Sequence, residues 1–323
     1  ALSRDGALVA TAGDDGVVRI WDSVTGATLH TLTGHRGEVR VVAFSPDGAF
    51  LATAGDDGAV RIWDPATAAN PHPLPNPMGR VRVVALSPDG ALLATIGNDG
   101  AVRVWDPVTG AILRTLPGLT GPIGRVDALA LSRDGALLAA IGDEGVVRVW
   151  DPVTGAILRT LPGLTGPIGR VGALALSRDG ALLATAGDEG VVRLWDPVTD
   201  VTLHTLVGPI GGGTAVALSS DGTRLATAHS FNAVRIWDSV TGATLHTLTG
   251  LIGGVYALAL SPGGTRLATT GLDGAVRIWD PATGELLTMM RVDSGLSSCA
   301  WAPDGYSLFI GGERGLFAYD LHE

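Results

Sequence analysis

Short runs in which apolar and polar residues alternate recur along the whole chain, separated by turns rich in Gly, Asp and Pro. In the clearest copy these runs cover residues 27–32, 39–45, 50–54 and 60–64. A period of two residues is typical of a strand with one buried face, and β-branched residues fit a pleated sheet. No run has helical periodicity. The pattern predicts an all-β protein made of four-stranded antiparallel units.

Each of these units closes on the same dipeptide. Seven copies carry Trp-Asp and the eighth carries Tyr-Asp, at intervals of 40 to 45 residues. A repeat of this length marks supersecondary units that bury their apolar faces only by stacking on copies of themselves. The pairs are Trp21-Asp22, Trp63-Asp64, Trp105-Asp106, Trp150-Asp151, Trp195-Asp196, Trp237-Asp238, Trp279-Asp280 and Tyr319-Asp320.

The motifs inside the second unit resemble a known repeat. They are Gly34-His35, the turn Ser45-Pro46-Asp47-Gly48, the turn Asp57-Gly58, and Trp63-Asp64. Together they resemble a WD40 repeat, and the resemblance extends over essentially all 323 residues. It implies a single β-propeller domain over residues 1–323. In such a propeller each repeat supplies the outer strand of one blade and the three inner strands of the next.

The number of blades follows from the inner strands. Eight copies of these three strands are present, the first shortened to Ala1-Leu2-Ser3 in its innermost strand. We expect eight four-stranded blades, with seven blades plus an extra unit as the alternative. The last blade is expected to be three-stranded unless another segment fills its edge. Its unpaired backbone groups predict self-association through this open edge.

Four polar residues of unit 2 match a hydrogen-bonded tetrad that the resemblance implies. Their composition is similar to a Ser-His-Asp catalytic set, but the repeat context favours a buried structural network. The residues are His35, Thr53, Asp57 and Trp63.

The tetrad is incomplete in the other units. Units 3, 5 and 7 keep the Thr and an acidic turn residue but lack the His, unit 4 has Ala140, and unit 6 has Phe231 in the turn. Blade-to-blade apolar packing is therefore expected to supply most of the stability, since an isolated buried hydrogen bond contributes only about 1 kcal/mol. The retained pairs are Thr95 with Asp99, Thr185 with Glu189 and Thr269 with Asp273.

Composition excludes several classes of function. The net charge of −10 disfavours nucleic-acid binding, and no apolar run is long enough for membrane insertion. Every basic residue is Arg, and the absence of Lys excludes a phosphate-loop NTPase site and Schiff-base chemistry. Cys299 is the single cysteine, so no intrachain disulfide forms and a reducing, cytoplasmic location is expected.

The remaining candidate motifs do not predict chemistry. The turns Asp14-Asp15-Gly16 and Asp56-Asp57-Gly58 offer too few oxygens for Ca²⁺, and Gly208–Gly213 lacks a following helix that would bind phosphate. We therefore expect no enzyme activity, no cofactor and no metal site.

The resemblance implies a non-catalytic scaffold that binds a protein or peptide. In the family, partners often contact the face that carries the outer-to-inner strand loops and the Asp-Gly turns, called the loop face below. Arg is a frequent interface residue, and four Arg of units 3–5 predict a positive patch for acidic partners, whereas solvated loop residues are the plainer interpretation. The candidates are Glu38, Arg40, Asp56, Arg80, Arg82, Asn98, Arg125, Asp127, Asp143, Arg170, Asp188, Tyr256 and Leu272.

Two other interpretations stay open. Arrays of this kind resemble the C-terminal sensor propellers of larger bacterial multidomain signalling NTPases. In addition, residues 106–150 and 151–195 are identical at 41 of 45 positions, which indicates recent duplication. Such duplication is also expected from neutral amplification of a tolerant array.

Overall fold

The structure is a computed structural model that describes most of the chain. The positions outside the described residues are 46, 71, 75–80, 88, 98, 117–127, 133, 143–145, 162–170, 178, 188–189, 209–212, 230–232, 293–294, 313–314 and 322–323. The side chains of residues 72, 73, 82, 171, 172, 213, 214 and 297 are also outside the description.

Residues 1–161 form one compact unit with four antiparallel sheets. Sheet 1 has three strands, and Leu2 adds an isolated bridge to Val9. Sheets 2, 3 and 4 have four strands each. The strands are β1 Leu8–Ala12, β2 Val18–Asp22 and β3 Thr28–Leu32; β4 Val39–Phe44, β5 Leu51–Gly55, β6 Val60–Trp63 and β7 His72–Pro73; β8 Val81–Leu86, β9 Leu93–Gly97, β10 Val102–Trp105 and β11 Ile112–Leu116; β12 Ala128–Leu131, β13 Leu138–Ile141, β14 Val147–Trp150 and β15 Ile157–Leu161.

Residues 162–323 form the second compact unit, also with four antiparallel sheets. Sheets 5, 6 and 7 have four strands, and sheet 8 has three among the described residues. The strands are β16 Val171–Leu176, β17 Leu183–Gly187, β18 Val191–Asp196 and β19 Val201–Val207; β20 Gly213–Leu218, β21 Arg224–His229, β22 Ala233–Asp238 and β23 Thr244–Leu248; β24 Val255–Leu260, β25 Leu267–Gly271, β26 Ala275–Trp279 and β27 Leu286–Arg291; β28 Leu296–Trp301, β29 Ser307–Gly312 and β30 Gly315–Asp320.

The turn between the first two strands of a sheet is held by its own side chains. In sheet 2, the Ser45 hydroxyl donates to Asp47 Oδ1 at 2.6 Å and accepts from the Phe50 backbone N–H at 2.9 Å. Gly48 adopts a φ of 75°, a conformation that favours glycine. Local hydrogen bonds and the Gly48 conformation therefore stabilise this turn, which does not depend on packing in the core. The same Ser-to-Asp bond joins Ser3 and Asp5, Ser87 and Asp89, Ser132 and Asp134, Ser177 and Asp179, and Ser219 and Asp221.

Apolar side chains fill the space between neighbouring sheets. Ile20 and Leu32 of sheet 1 pack in one buried cluster with Leu51 and Trp63 of sheet 2. The same kind of cluster recurs between sheets 6 and 7, where Ile236 and Trp279 belong to one core. Burial of apolar surface stabilises a fold by about 25 cal/mol per Å². Clusters of this kind join sheets 1 and 2, 2 and 3, and 3 and 4 in the first compact unit, and sheets 5 and 6, 6 and 7, and 7 and 8 in the second, as stacking repeats require.

Polar contacts also join neighbouring sheets at their outer strands. The imidazole Nε2 of His246, in sheet 6, lies 2.8 Å from the carbonyl oxygen of Ala282 in the next sheet. Gly284 leaves room for this ring, because an added Cβ would lie 2.7 Å from the His246 ring. His246 therefore links sheet 6 to sheet 7. The equivalent contacts are His30 with Ala66 and His204 with Val240.

The predicted all-β class and the eight sheets are confirmed. The strands predicted in residues 27–64 are present with their ends moved by one residue. Three strands in sheet 8 agree with the expected missing outer strand, whereas the single-domain organisation and self-association through this edge stay predictions. The described residues include no helix with the length and hydrophobicity needed to cross a membrane.

Candidate functional site

The polar tetrad of sheet 2 is a continuous chain of hydrogen bonds. Trp63 Nε1 donates to Thr53 Oγ1 at 2.8 Å, and Thr53 Oγ1 lies 2.8 Å from His35 Nε2. His35 Nδ1 lies 3.0 Å from Asp57 Oδ1. Since the Asp57 carboxylate only accepts, Nδ1 carries the proton and Nε2 accepts the Thr53 hydroxyl proton. One tautomer of His35 therefore satisfies Trp63, Thr53 and Asp57, while Arg61 Nη1, another donor, lies 2.8 Å from the same Nδ1.

Burial favours the neutral form of His35, and hydrogen bonds keep Asp57 ionised. Burial lowers the pKa of His35. Burial alone would raise the pKa of Asp57, but hydrogen bonds from the Arg36 backbone N–H, from His35 and from the Ala59 backbone N–H lower it to about 2. Arg61 Nη1 also donates to Asp57 Oδ2 at 3.1 Å. Because Thr53 is fully buried and its hydroxyl both accepts and donates, this geometry favours the structural interpretation over a catalytic one.

The Trp-to-Thr hydrogen bond is repeated in most of the other sheets. The indole N–H donates to the Thr hydroxyl in Trp21 and Thr11, Trp105 and Thr95, Trp195 and Thr185, Trp237 and Thr227, and Trp279 and Thr269. Sheet 4 differs because Ala140 stands at the Thr position. Trp150 is fully buried there, and its Nε1 has no acceptor among the described residues. The Trp150 indole N–H is therefore a buried donor without an acceptor among the described residues, whereas the corresponding Trp195 of the nearly identical unit 5 donates to Thr185.

Ala140→Thr is expected to stabilise the protein by about 1–2 kcal/mol, because it supplies an acceptor to a buried N–H. Thr185→Ala in sheet 5 is the mirror-image control and should destabilise by a similar amount. The free energy of unfolding in urea, together with amide exchange of the β13 and β17 peptides, measures both effects. Equal stability of the wild type and Ala140→Thr would show that the indole N–H finds another acceptor.

Sheet 6 supplies its histidine from a position that the sequence did not indicate. His229, in β21, is fully buried and its Nε2 lies 3.0 Å from Thr227 Oγ1. It stands where Gly55 lies in sheet 2, and Gly208 leaves room for its ring. Sheet 6 thus rebuilds the Trp-Thr-His part of the tetrad with the ring entering from the strand.

A recurring arginine also escaped the sequence interpretation. In sheet 7, Arg277 Nη2 donates to Asp273 Oδ2 at 2.7 Å, and the two side chains are only 7% and 6% exposed. This Arg lies two residues before the Trp in units 1 to 7, and in units 1, 2, 3 and 7 it lies four residues after the turn Asp, a spacing that signals the pair. In sheet 7 the opposite charges of Arg277 and Asp273 neutralise each other, so neither side chain is a buried unpaired charge. The same pair joins Arg19 and Asp15, Arg61 and Asp57, and Arg103 and Asp99.

On the loop face of sheet 2, the predicted partner-binding residues bind one another. Arg40 Nε donates to Asp56 Oδ1 and Arg40 Nη2 donates to Glu38 Oε2, both at 2.6 Å. The three side chains are partly exposed. Exposed ion pairs stabilise a fold by about 0–1 kcal/mol, so this network is weak as a structural device. It does neutralise the Arg40 guanidinium, which a partner would otherwise contact directly.

On the loop face of sheet 7, the same two strand positions carry Tyr256 and Leu272. They are 51% and 58% exposed. The backbone is equivalent, since Val255 pairs with Gly271 as Val39 pairs with Gly55. The loop face therefore changes from ionic to apolar between these sheets while the backbone stays the same.

The rest of the predicted partner-binding set lies outside the described residues. It includes most of the Arg cluster and its acidic neighbours, so that cluster remains a prediction. Arg82 lies in β8, but its side chain is not described. The others are Arg80, Asn98, Arg125, Asp127, Asp143, Arg170 and Asp188.

The described residues contain little else that could bind a ligand. No group of three His, Cys, Asp or Glu side chains among them is placed to hold a metal ion. A cavity of about 310 Å³ is lined by Arg4, Asp5, Asp47 and Gly48 at the turns of sheets 1 and 2. Ser3 and Ser45 donate to the two carboxylates there, and these bonds serve the turns.

Comparison with known proteins gives a family and a fold. The family model described as "WD domain, G-beta repeat" matches residues 1–22, 26–64, 72–106, 110–151, 155–196 and 242–280, which is more than half of the chain. The crystal structure of the computationally designed Ika8 protein covers 99% of this chain and 95% of its own, with a TM-score of 0.87 and 24% identity. This likeness concerns the fold alone.

Curated relatives match over single repeats. Nuclear distribution protein PAC1 of Mycosarcoma maydis is 52% identical over 46 residues, and small ribosomal subunit protein RACK1 of Candida albicans is 51% identical over 45 residues. Each match covers 14% of this chain, but only 10% of PAC1 and 14% of RACK1. Periodic tryptophan protein 2 homolog of Dictyostelium discoideum is 46% identical over 46 residues, which is 5% of its length. The chain matches only a small part of each relative.

Proposed function

This chain belongs to the WD40 repeat family, its sheets are blades of a β-propeller, and we propose that it is a non-catalytic scaffold that binds a protein or peptide on its loop face. One observation carries this proposal. The buried interior repeats from sheet to sheet, whereas the loop-face positions change from the Arg40–Asp56 ion pair to the exposed Tyr256 and Leu272. Variation on a constant framework is the arrangement that a specific binding surface needs.

The Arg cluster of units 3–5 is the second element of the proposed surface. Arg80, Arg82, Arg125 and Arg170 would offer bidentate donors to the carboxylates of an acidic partner. Since the chain has a net charge of −10, such a patch would steer acidic partners to one part of an otherwise acidic protein. A reducing, cytoplasmic setting fits the single cysteine, whose thiol pKa burial raises to about 12.

The binding function is tested by quantitative pull-down with three forms of the chain. We expect the variant with all four Arg of the cluster changed to Ser to lose most of the partner that the wild type recovers. Val24→Ser with Val240→Ser is the control, because these exposed residues lie in the turns at the opposite ends of the strands. If the Val24→Ser with Val240→Ser control lost the partner and the four-Arg variant kept it, the binding site would not lie on the loop face.

The same face would serve a sensor propeller in a larger signalling NTPase, which is the second function suggested by the sequence. In that setting the partner would be a ligand protein whose binding changes NTPase activity. Reading the gene on both sides of this sequence tests this function, since an adjoining NTPase domain is required for it.

A further inference from the structure

The outermost strand of sheet 7 exposes an apolar edge. In β27, the side chains of Leu286, Leu287 and Met289 are 46%, 52% and 55% exposed. The strand pairs with β26 on one side and with no other described strand on its outer side. An edge strand carries N–H and C=O groups that can pair with a strand of another chain. The outer side of β27 is therefore a surface on which a further strand can be added.

The backbone of β27 directs alternate residues outward. Val292 N–H donates to the Gly274 carbonyl oxygen at 2.7 Å, which is a bond directed toward β26. Two residues earlier, Met290 lies opposite Val276 in the same register. Bonded and non-bonded pairs alternate in an antiparallel ladder, so Met290 also bonds toward β26. Met289 therefore points its N–H and C=O groups away from the sheet.

Sheet 2 has the opposite kind of edge at the same register. Met289 of β27 lies opposite Arg277, and the equivalent residue of β7, opposite Arg61, is Pro73. The N–H of the following residue, Leu74, donates to a carbonyl of β6 at 3.0 Å. Position 73 thus faces outward, where proline has no N–H to offer to a further strand. The outer strand of sheet 2 lacks the outward donor that β27 retains.

The two ends of β27 carry opposite charges. Glu285 directly precedes the strand, Arg291 is its last residue, and both are exposed. Antiparallel pairing of two copies of β27 brings Glu285 of each copy to the end at which Arg291 of the other lies, and opposite charges across strands stabilise a sheet. Parallel pairing would place like charges together. None of the other outer strands that the structure describes combines an acidic residue directly before it with an arginine at its end.

We propose that β27 is a self-association edge, which pairs antiparallel with β27 of a second copy of this chain. The two sheets then form one continuous sheet about a two-fold axis, in which the same surface of both copies meets. The exposed apolar side chains of the two strands cover one another, and the Glu285–Arg291 contacts close both ends. This interface uses none of the residues of the proposed partner surface and is separate from the open edge of sheet 8.

Sedimentation velocity of the whole chain over a range of concentrations tests this interface. We expect the wild type to show a monomer–dimer equilibrium. Met289→Pro should weaken the dimer about tenfold or more, because each copy loses one outward N–H donor. Thr247→Pro is the matched control, since Thr247 of β23 lies opposite Arg235 in the same register of sheet 6. The control should dimerise as the wild type does.

Charge reversal is a second arm, which decides the proposal if Met289→Pro fails to fold. Glu285→Arg alone places two arginines at each end of the paired strands, and Arg291→Glu alone places two glutamates there. Each variant should therefore dimerise about tenfold or more weakly than the wild type. An equimolar mixture of the two variants should form a heterodimer, because every end contact is again between opposite charges. Recovery in the mixture also shows that both variants are folded.

Three outcomes would overturn the self-association edge. The first is a wild type that stays monomeric up to the highest concentration at which it is soluble. The second is a dimer that is as strong in Met289→Pro and in both charge variants as in the wild type, because its interface would then lie elsewhere, such as at β30. The third is weakened association in both charge variants without recovery in their mixture. The pull-down for the scaffold function is independent of all three.

Discussion

Gly208→Ala is expected to destabilise the protein by about 3 kcal/mol or more, the upper end of the range for overpacking a closed core. An added Cβ would lie 2.3 Å from His229 Cε1 and 2.8 Å from the Gly190 carbonyl oxygen. The ring has no room to move, because it is fully buried and lies 3.0 Å from Thr227 Oγ1. Relief of the clash therefore requires the His229 contact with Thr227 to break or the β19 backbone to shift.

Urea denaturation followed by tryptophan fluorescence measures the loss, and amide exchange of β19 and β21 locates it. Gly263→Ala is the matched control, since an added Cβ there meets no atom within 4 Å and its φ is ordinary. His229→Ala in the Gly208→Ala background should recover part of the stability by removing the ring. Equal effects of the two glycine variants would show that His229 does not occupy the space beside Gly208.

Thr53→Ala is expected to lower the free energy of unfolding by about 2–4 kcal/mol, because the Trp63 indole N–H and His35 Nε2 both lose their hydrogen-bond partner in the core. Thr95→Ala is the matched control in sheet 3, where the hydroxyl accepts from Trp105 and unit 3 has no His at the position of His35. The control should cost about 1–2 kcal/mol. The difference in the free energy of unfolding between the two variants isolates the histidine contact. If Thr95→Ala costs as much as Thr53→Ala, His35 adds nothing to the network.

The pH dependence of stability gives an independent measure of the same network. Burial lowers the folded pKa of His35 below its ordinary value of 6.5, so the unfolded chain takes up the proton first as the pH falls. Stability is therefore complete above about pH 6.5 and declines below it. The lowered pKa of Asp57, about 2 against an ordinary 3.8, removes further stability below about pH 4. His35→Gln should flatten the first part of this decline and only reduce the second, because the Arg36 and Ala59 backbone N–H groups still lower the pKa of Asp57.

Partner binding is expected to be independent of these effects on stability. None of the tetrad side chains is exposed enough to anchor a partner, so Thr53→Ala should recover as much partner as the wild type in the pull-down. If it lost the partner without any change in stability, the structural role of the tetrad would be wrong.

The sequence by itself determined the architecture of this protein. Alternating apolar residues, Ser-Pro-Asp-Gly turns and regularly spaced Trp-Asp pairs act locally, because strand periodicity and turn conformation depend on neighbouring residues. The ends of β3, β4, β5 and β6 were therefore predicted to within one residue, and the unpaired Trp150 follows directly from Ala140. The Trp63-to-Thr53 hydrogen bond could be predicted in the same way, because both residues match a repeated motif.

The tertiary structure decided which residues meet across sheets and strands. His229 enters the sheet 6 network from a strand position because Gly208, directly after the outer strand β19 of sheet 5, leaves space for its ring. Likewise, Arg40 is neutralised by Glu38 and Asp56, while Tyr256 and Leu272 stay exposed on an equivalent backbone. The contacts of Arg40 with Asp56 and of Gly208 with His229 join residues 16 and 21 positions apart, and packing rather than local propensity brings them together. The repeat thus fixes the backbone position of each residue, whereas packing against other strands and sheets determines what its side chain contacts.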